Sequence, residues 1–338
     1  MNKRRILKTI DEYNRTWEQK KQNENKAKNT VLSYEKDFNS YKRFCEILNR
    51  ELYKLDYDVV TAYLQHLFES PDINKYSTIR RQLFSINYFF KKNNIEFDTK
   101  NQKIIDVLST IKSDIAEKHG GIRVDKTPPL LFDDMKKIIK KINQSIKSNP
   151  KRLINYRDKS LILIAWYGAF RRSEVSNLDC NDIIETDNRL IVTLKKSKTD
   201  QDGKKQGKPI ARIKIKKWQS HCPVNAYNEW LKVSNISSGK VFRHIDSSNL
   251  INHNAFSDRS VAQIIFERGK EVNIKGKKLS GHSFRSGYAT QLAMDGASIQ
   301  EIMEITQHSS ENTARGYIQM AKLYRETASE KYIHKKLK

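Results

Sequence analysis

From Asn29 to Lys118 the apolar residues recur at every third or fourth position, and this period constrains the fold more than any other feature. Val31, Tyr34, Phe38, Tyr41, Phe44 and Leu48 form one stripe of a helix whose other faces are polar. That spacing puts a continuous apolar band on a 3.6-residue period, which a strand cannot do. Asp58 is placed to cap a second helix carrying Val59, Val60, Tyr63, Leu64, Leu67 and Phe68. Ser77 is placed to cap a third with Leu83, Phe84, Phe89 and Phe90, and Ile104, Ile105, Leu108 and Ile111 mark a fourth. Four short helices joined by polar turns predict a small all-α domain over residues 29–117.

Residues 1–28 are polar and rich in Lys, Asn and Gln, and read as a flexible basic arm. Residues 118–128 read as a linker: Gly120–Gly121 ends the preceding helix, and Pro128–Pro129 opposes its continuation. A larger domain is expected over 129–338. It opens with a helix around Met135–Ile146 and a wholly apolar one, Leu161–Tyr167, that stops at Gly168. Leu190, Val192 and Leu194 alternate, as do Ile213 and Ile215 within Ala211–Ile215, which predicts a β-hairpin with a long polar turn between them. Pro223 and Ser257 or Asp258 start further helices. The C-terminal part is helical in three bursts: 282–294 closed by Gly296, 298–306 opened by a Ser298/Glu301 capping box, and 310 onward. The fold class is therefore mainly α with a small β-sheet.

Charge narrows the partner. The 338 residues carry 64 Lys and Arg against 39 Asp and Glu, a formal charge of +25, spread along the whole chain. Such an excess attracts a polyanion and releases its counterions, so nucleic acid is the expected ligand. Lys75, Arg80, Arg81, Lys91 and Lys92 flank the third helix and are candidate phosphate contacts. Cys45, Cys180 and Cys222 are far apart and odd in number, which excludes a disulfide framework or a zinc cluster and leaves Cys45 and Cys180 as small buried residues. No apolar run approaches the ~18 residues that span a bilayer, and no secretory signal is visible. The expected setting is cytoplasmic and nucleoid-associated, or nuclear in a eukaryote.

Four local patterns follow one another in the larger domain. Arg171 lies in Gly168-Ala-Phe-Arg-Arg-Ser-Glu174, after an apolar helix. Lys198 lies in Lys-Ser-Lys-Thr-Asp in the hairpin turn, with Lys195, Lys196, Lys204 and Lys205 as rivals. His282 and Arg285 share a helix face three residues apart, and Tyr317 follows His308 by nine. Each pattern alone is bland: an Arg pair, a turn lysine or a helical tyrosine is usually surface. In this order and context they resemble the catalytic domain of the tyrosine recombinases, the phage integrase kind. The resemblance covers residues 130–320 by motif; the helical segment 29–117 matches that family's core-binding domain only by position and helix count. Gln307 stands where many relatives have Gly.

The resemblance implies a site-specific recombinase or integrase that cleaves DNA through a 3′-phosphotyrosyl link. Such a reaction asks for positive charge on the non-bridging oxygens, which Arg171 and Arg285 would give as forked hydrogen bonds. It asks for an in-line nucleophile, Tyr317, and for a proton on the departing 5′ oxygen, which the resemblance assigns to Lys198. His282 would act as base or phosphate ligand, and His308 would donate to the phosphate. The link conserves bond energy, so neither ATP, metal nor another cofactor is expected. The implied partners are double-stranded DNA with inverted-repeat sites and three further copies of the chain in a homotetramer, with no membrane. The tail after Tyr317 reads as a helix with Met320, Leu323, Tyr324 and Ala328 on one face, docked on its own domain or, by the resemblance, on a neighbour. Two rival readings remain: an enzyme of type IB topoisomerase or telomere-resolvase kind, and a catalytically degenerate DNA-binding relative.

Overall fold

The computed structural model describes residues 28–71, 75–119, 127–194, 207–252, 256–274, 278–308 and 310–325, with Glu330, Ile333 and Lys336. The chain divides into two compact units, Met1–Asp125 and Lys126–Lys338. The division falls inside the segment 118–128 expected as a linker.

Among the described residues the first unit has four helices: α1 (Lys28–Ile47), α2 (Tyr57–Glu69), α3 (Tyr76–Lys92) and α4 (Gln102–His119). Helix α1 packs on α3 and α2 on α4. Phe38, Tyr41, Cys45, Val60, Tyr63, Leu64, Ile79, Ile86, Phe90, Ile104 and Ile111 form the core. Phe38 stacks on Phe89 with ring centroids 4.4 Å apart.

Several local expectations are corrected here. Asp56, not Asp58, caps α2, accepting from the backbone N–H groups of Asp58 and Val59; Asp58 pairs instead with Lys103. Ser77 lies inside α3, whose N-cap Lys75 makes no side-chain cap bond. Leu48 lies beyond α1 and is exposed, because Asn49 turns left-handed at φ 52 and Arg50 N–H closes on the Cys45 carbonyl. That closure is a C-terminal capping turn, which Asn tolerates better than most residues. Phe84 and Ile105, expected on apolar stripes, are exposed. Of the candidate phosphate contacts, Arg81 is held by Asp37 through Nε (2.6 Å) and Nη2 (3.0 Å), and so ties α3 to α1. Arg80 lies over the Phe84 ring. Lys91 and Lys92 sit in the last turn of α3, where cations suit the helix dipole.

The second unit contains α5 (Phe132–Ser148), α6 (Leu153–Tyr167), α7 (Arg172–Asn177), α8 (Pro223–Ser234), α9 (Asp258–Glu271), α10 (Ser283–Met294), α11 (Ile299–Thr306) and α12 (Glu311–Lys322). Helix α6 runs through the core: Leu161 to Trp166 are all buried, and it packs against α5, α8 and α10. An apolar run without a polar face belongs to such a position. Pro223 occupies the first turn of α8, Ser257 caps α9, and Ser298 with Glu301 forms the capping box of α11.

Strands β1 (Ile183–Glu185), β2 (Arg189–Val192) and β3 (Lys208–Ala211) make an antiparallel sheet in that order, with Leu190 opposite Ile210 and Val192 opposite Lys208. A separate two-stranded ribbon pairs β4 (His244–Ile245) with β5 (Ile251–Asn252). The hairpin expected from alternation is therefore present, but its second strand is 208–211 rather than 211–215. The chain leaves the sheet after Ala211, because Ile213 N–H donates to Cys222 Sγ and its carbonyl accepts from Gln219. Ile215 is consequently exposed. Helix α12 ends at Lys322, and Leu323 is 77% exposed, so the expected apolar face does not continue there. Ala328 and residues 1–27 lie outside the described residues. Among the described residues no helix is long and apolar enough to cross a membrane.

Helix α10 meets the chain entering α5 at a backbone contact. A Cβ on Gly287 would lie 2.0 Å from the Leu130 carbonyl oxygen. Leu130 N–H donates to the Ser283 carbonyl, and its own carbonyl accepts from Trp166 Nε1 at 2.7 Å. Neither backbone can retreat without breaking those bonds. Gly287→Ala should therefore destabilise this unit by about 1–3 kcal/mol or more. Urea unfolding checks it; an unchanged midpoint would mean the contact is looser than described.

Candidate active site

The turn between α6 and α7 is tight. Ala169 is left-handed at φ 45, and a Cβ on Gly168 would lie 2.2 Å from the Phe170 ring. The turn delivers Arg171 to the N-cap of α7. There Glu174, buried three residues on, accepts from Arg171 N–H at 2.8 Å and from Arg171 Nη1 at 2.6 Å. One carboxylate thus fixes both the backbone and the head of Arg171, whose side chain is 20% exposed. Glu174 has no role in the sequence reading. The signal for it was the spacing of a helix cap and a glutamate three residues later.

Arg285 enters the same place from the first turn of α10 and is 1% exposed. Its Nη1 donates to the Ala169 carbonyl at 3.0 Å, Nη2 to the Thr306 carbonyl, and Nε to His308 Nε2 at 3.2 Å. The first two acceptors are carbonyls at the ends of α6 and α11, where orphan acceptors are available. Gln307, after Thr306, is left-handed at φ 52, which explains why glycine would suit this position. The turn at Gln307 brings His308 back over Arg285. His308 then stacks with Tyr317 from α12 at 5.7 Å between centroids. Tyr317 is 8% exposed and packs with Ala289, Ala293, Ile302, Ala314 and Ala321. His282 occupies the N-cap of α10, open to solvent, and its carbonyl accepts from Ser286.

The electrostatics of the cluster are one-sided. Arg285 faces the Arg171 guanidinium and the Glu174 carboxylate, while His308 faces Arg285, Arg171, His282 and Lys208, a buried residue at the start of β3. Burial, then the charge of Arg171, lower the Arg285 pKa to about 10, so it remains a cation at neutral pH. Burial, then Arg285, Arg171, Lys208 and His282, push His308 down to about 3, so it is a neutral imidazole. Partial desolvation, Arg285 and Arg171 also lower His282. Burial raises the Tyr317 pKa against the pull of Arg285 and Arg171, and it stays a phenol until something accepts its proton. The bond from Arg285 Nε needs the lone pair on His308 Nε2, so the His308 proton sits on Nδ1. That Nδ1 is buried and has no partner among the described residues. A buried unsatisfied donor beside excess positive charge is an arrangement that an anion completes.

Five of the six residues singled out in the sequence, Arg171, His282, Arg285, His308 and Tyr317, thus come together. The sixth, Lys198, lies outside the described residues, as do Lys195, Lys196, Lys204 and Lys205.

Comparison with known proteins gives a consistent result. A sequence model of the phage integrase family matches residues 130–323. An integrase/recombinase XerD homolog from Selenomonas ruminantium is 26% identical over 313 residues, covering 92% of this chain and 87% of its own. XerH site-specific recombinase, solved bound to palindromic difH substrate, matches with a TM-score of 0.57 at 16% identity over 84% of this chain and 74% of its own. A lambda integrase tetramer solved bound to a Holliday junction matches at 0.51 and 13% identity, over 92% of this chain and 76% of its own.

Proposed function

Since this chain belongs to the phage integrase family, we propose that it is a site-specific recombinase that cuts and rejoins double-stranded DNA through Tyr317. The observation that carries the reading is the His308 Nδ1–H, without a partner among the described residues, beside Tyr317 and in a cluster with two guanidinium groups. A phosphodiester supplies the missing acceptor and negative charge at once. In the step, Tyr317 Oη attacks the scissile phosphorus, a 3′-phosphotyrosyl bond forms, and the bond to the 5′ oxygen breaks. His282, open to solvent and held neutral at pH 7 by its lowered pKa, takes the phenol proton. Arg171, Arg285 and His308 donate to the non-bridging oxygens as charge develops there. Lys198 gives a proton to the leaving 5′ oxygen. Rejoining is the same sequence reversed, with a 5′ hydroxyl from another strand.

The unit 29–117 would supply the core-binding contacts and 129–338 the catalysis. The XerH and lambda integrase structures, one on a palindromic site and one a tetramer on a Holliday junction, support an inverted-repeat target and a homotetramer. DNA as substrate supports a setting with the nucleoid, or in a nucleus.

The test uses an inverted repeat selected from random DNA by the purified protein. Two such sites on distinguishable duplexes should yield products joining one flank of each. Relaxation of supercoils with each site resealed in place would instead indicate a topoisomerase, and binding without any covalent adduct would indicate a degenerate relative.

A further inference from the structure

The cluster contains a cation that the reaction described above leaves without a task. Lys208 opens β3 and is 4% exposed, which is unusual for an ammonium group. Its Nζ donates to the Gly168 carbonyl at 3.0 Å and lies 4.8 Å from the centre of the Phe170 ring. Gly168 and Phe170 belong to the turn that delivers Arg171. The next carbonyl along that turn, Ala169, accepts from Arg285 Nη1. Two successive carbonyls at the end of α6 therefore each hold one cation, where the helix leaves acceptors unsatisfied and its dipole is negative. The aromatic face adds a further attraction for the ammonium. These contacts offset the cost of burying a charge near Arg285 and Arg171.

The placement of Lys208 in the sheet matters as much as its contacts. It is the first residue of β3, paired with Val192 at the end of β2.

We propose that Lys208 is a positioning residue: it ties the start of β3 to the turn bearing Arg171, so that the guanidinium clamp on the phosphate is held in place. This rests on the recombinase reading above. Lys208 is not the acid in this arrangement, because its Nζ is engaged with the Gly168 carbonyl and covered by Phe170. Its charge also faces His308, together with Arg285, Arg171 and His282, and so helps to keep that imidazole neutral.

The experiment is single-turnover cleavage of a nicked suicide substrate, with affinity measured in parallel. Adduct formation by the wild-type protein establishes the underlying reaction; its absence would remove that reading rather than this one. Lys208→Met should cleave about 100-fold more slowly, the scale of a small misplacement of reacting groups, with DNA affinity unchanged. Lys208→Arg, which keeps a cationic donor, should recover most of the rate. A substrate with sulfur at the 5′ bridging position needs no proton on its leaving group. It should rescue Lys198→Ala and leave Lys208→Met slow. Rescue of Lys208→Met by sulfur would assign Lys208 to proton delivery rather than to the phosphate clamp, and equal losses in affinity and rate would make it a DNA contact; either overturns the proposal, as does a wild-type rate. Lys208→Gln, with a shorter N–H donor, serves if the Met variant does not fold: a slow rate without sulfur rescue supports the proposal, and a wild-type rate overturns it.

Discussion

Tyr317→Phe will bind its DNA site and form no covalent adduct. The substitution removes one oxygen from a ring that is already 8% exposed, so the packing against Ala289, Ala293 and Ala314 survives. What it removes is the proposed nucleophile, and Tyr324 is badly placed to replace it. Tyr324 follows α12 and is 37% exposed, two turns past Tyr317 or roughly 10 Å along a helix axis at 1.5 Å per residue. It does not share the His308 stack. The loss should therefore be complete rather than partial, and should appear as an absent band in a denaturing gel of the trapped complex. Peptide mapping of the wild-type adduct must place the DNA on Tyr317. An adduct on Tyr324, or one retained by the Phe variant, would overturn the assignment.

The placement of Arg285 and Tyr317 on their helices was legible in the sequence because it depends on short-range spacing. Arg285 sits in the first turn of a helix whose N-cap is His282, and Tyr317 lies two turns into the helix that follows His308. Helical geometry converts those intervals directly into directions. What the sequence did not show depends on contacts between distant segments. Nothing near Gln307 in the chain says that its left-handed turn will bring His308 onto Arg285. Nothing near Lys208 says that it will reach back forty residues to the Gly168 carbonyl. Caps failed for a related reason: Asp56 and Asp58 are both competent residues two positions apart, and only the path of the incoming chain selects between them. The second hairpin strand was misplaced because Ile213 and Ile215 alternate as a strand would, while the side chains of Gln219 and Cys222 claim the Ile213 backbone.

Removing Arg285 should have the second large effect, and a dual one. Arg285→Ala deletes donors to the Ala169 and Thr306 carbonyls and to His308 Nε2. Each buried acceptor left unsatisfied costs about 1–3 kcal/mol, so some loss of stability is expected. It is tempered because the guanidinium was itself unfavourably buried beside Arg171, as its lowered pKa of about 10 records. Catalysis has no such compensation. Without Arg285 the developing charge on the phosphate faces one guanidinium instead of two, and His308 loses the bond that orients its Nδ1–H. Loss of a preorganised donor of this kind costs on the order of 10²–10³ in rate, and the loss of His308 orientation adds to it. DNA affinity should fall far less, because contacts with the backbone along the whole duplex supply most of it. Arg285→Lys separates the two effects: it keeps the charge but not the planar fork, and cannot hold two carbonyls and an imidazole together. It should therefore bind like wild type and cleave nearly as poorly as the Ala variant. Single-turnover cleavage beside a mobility-shift titration decides the matter, and a Lys variant cleaving near the wild-type rate would show that charge alone, without the hydrogen-bonded framework, is what the site requires.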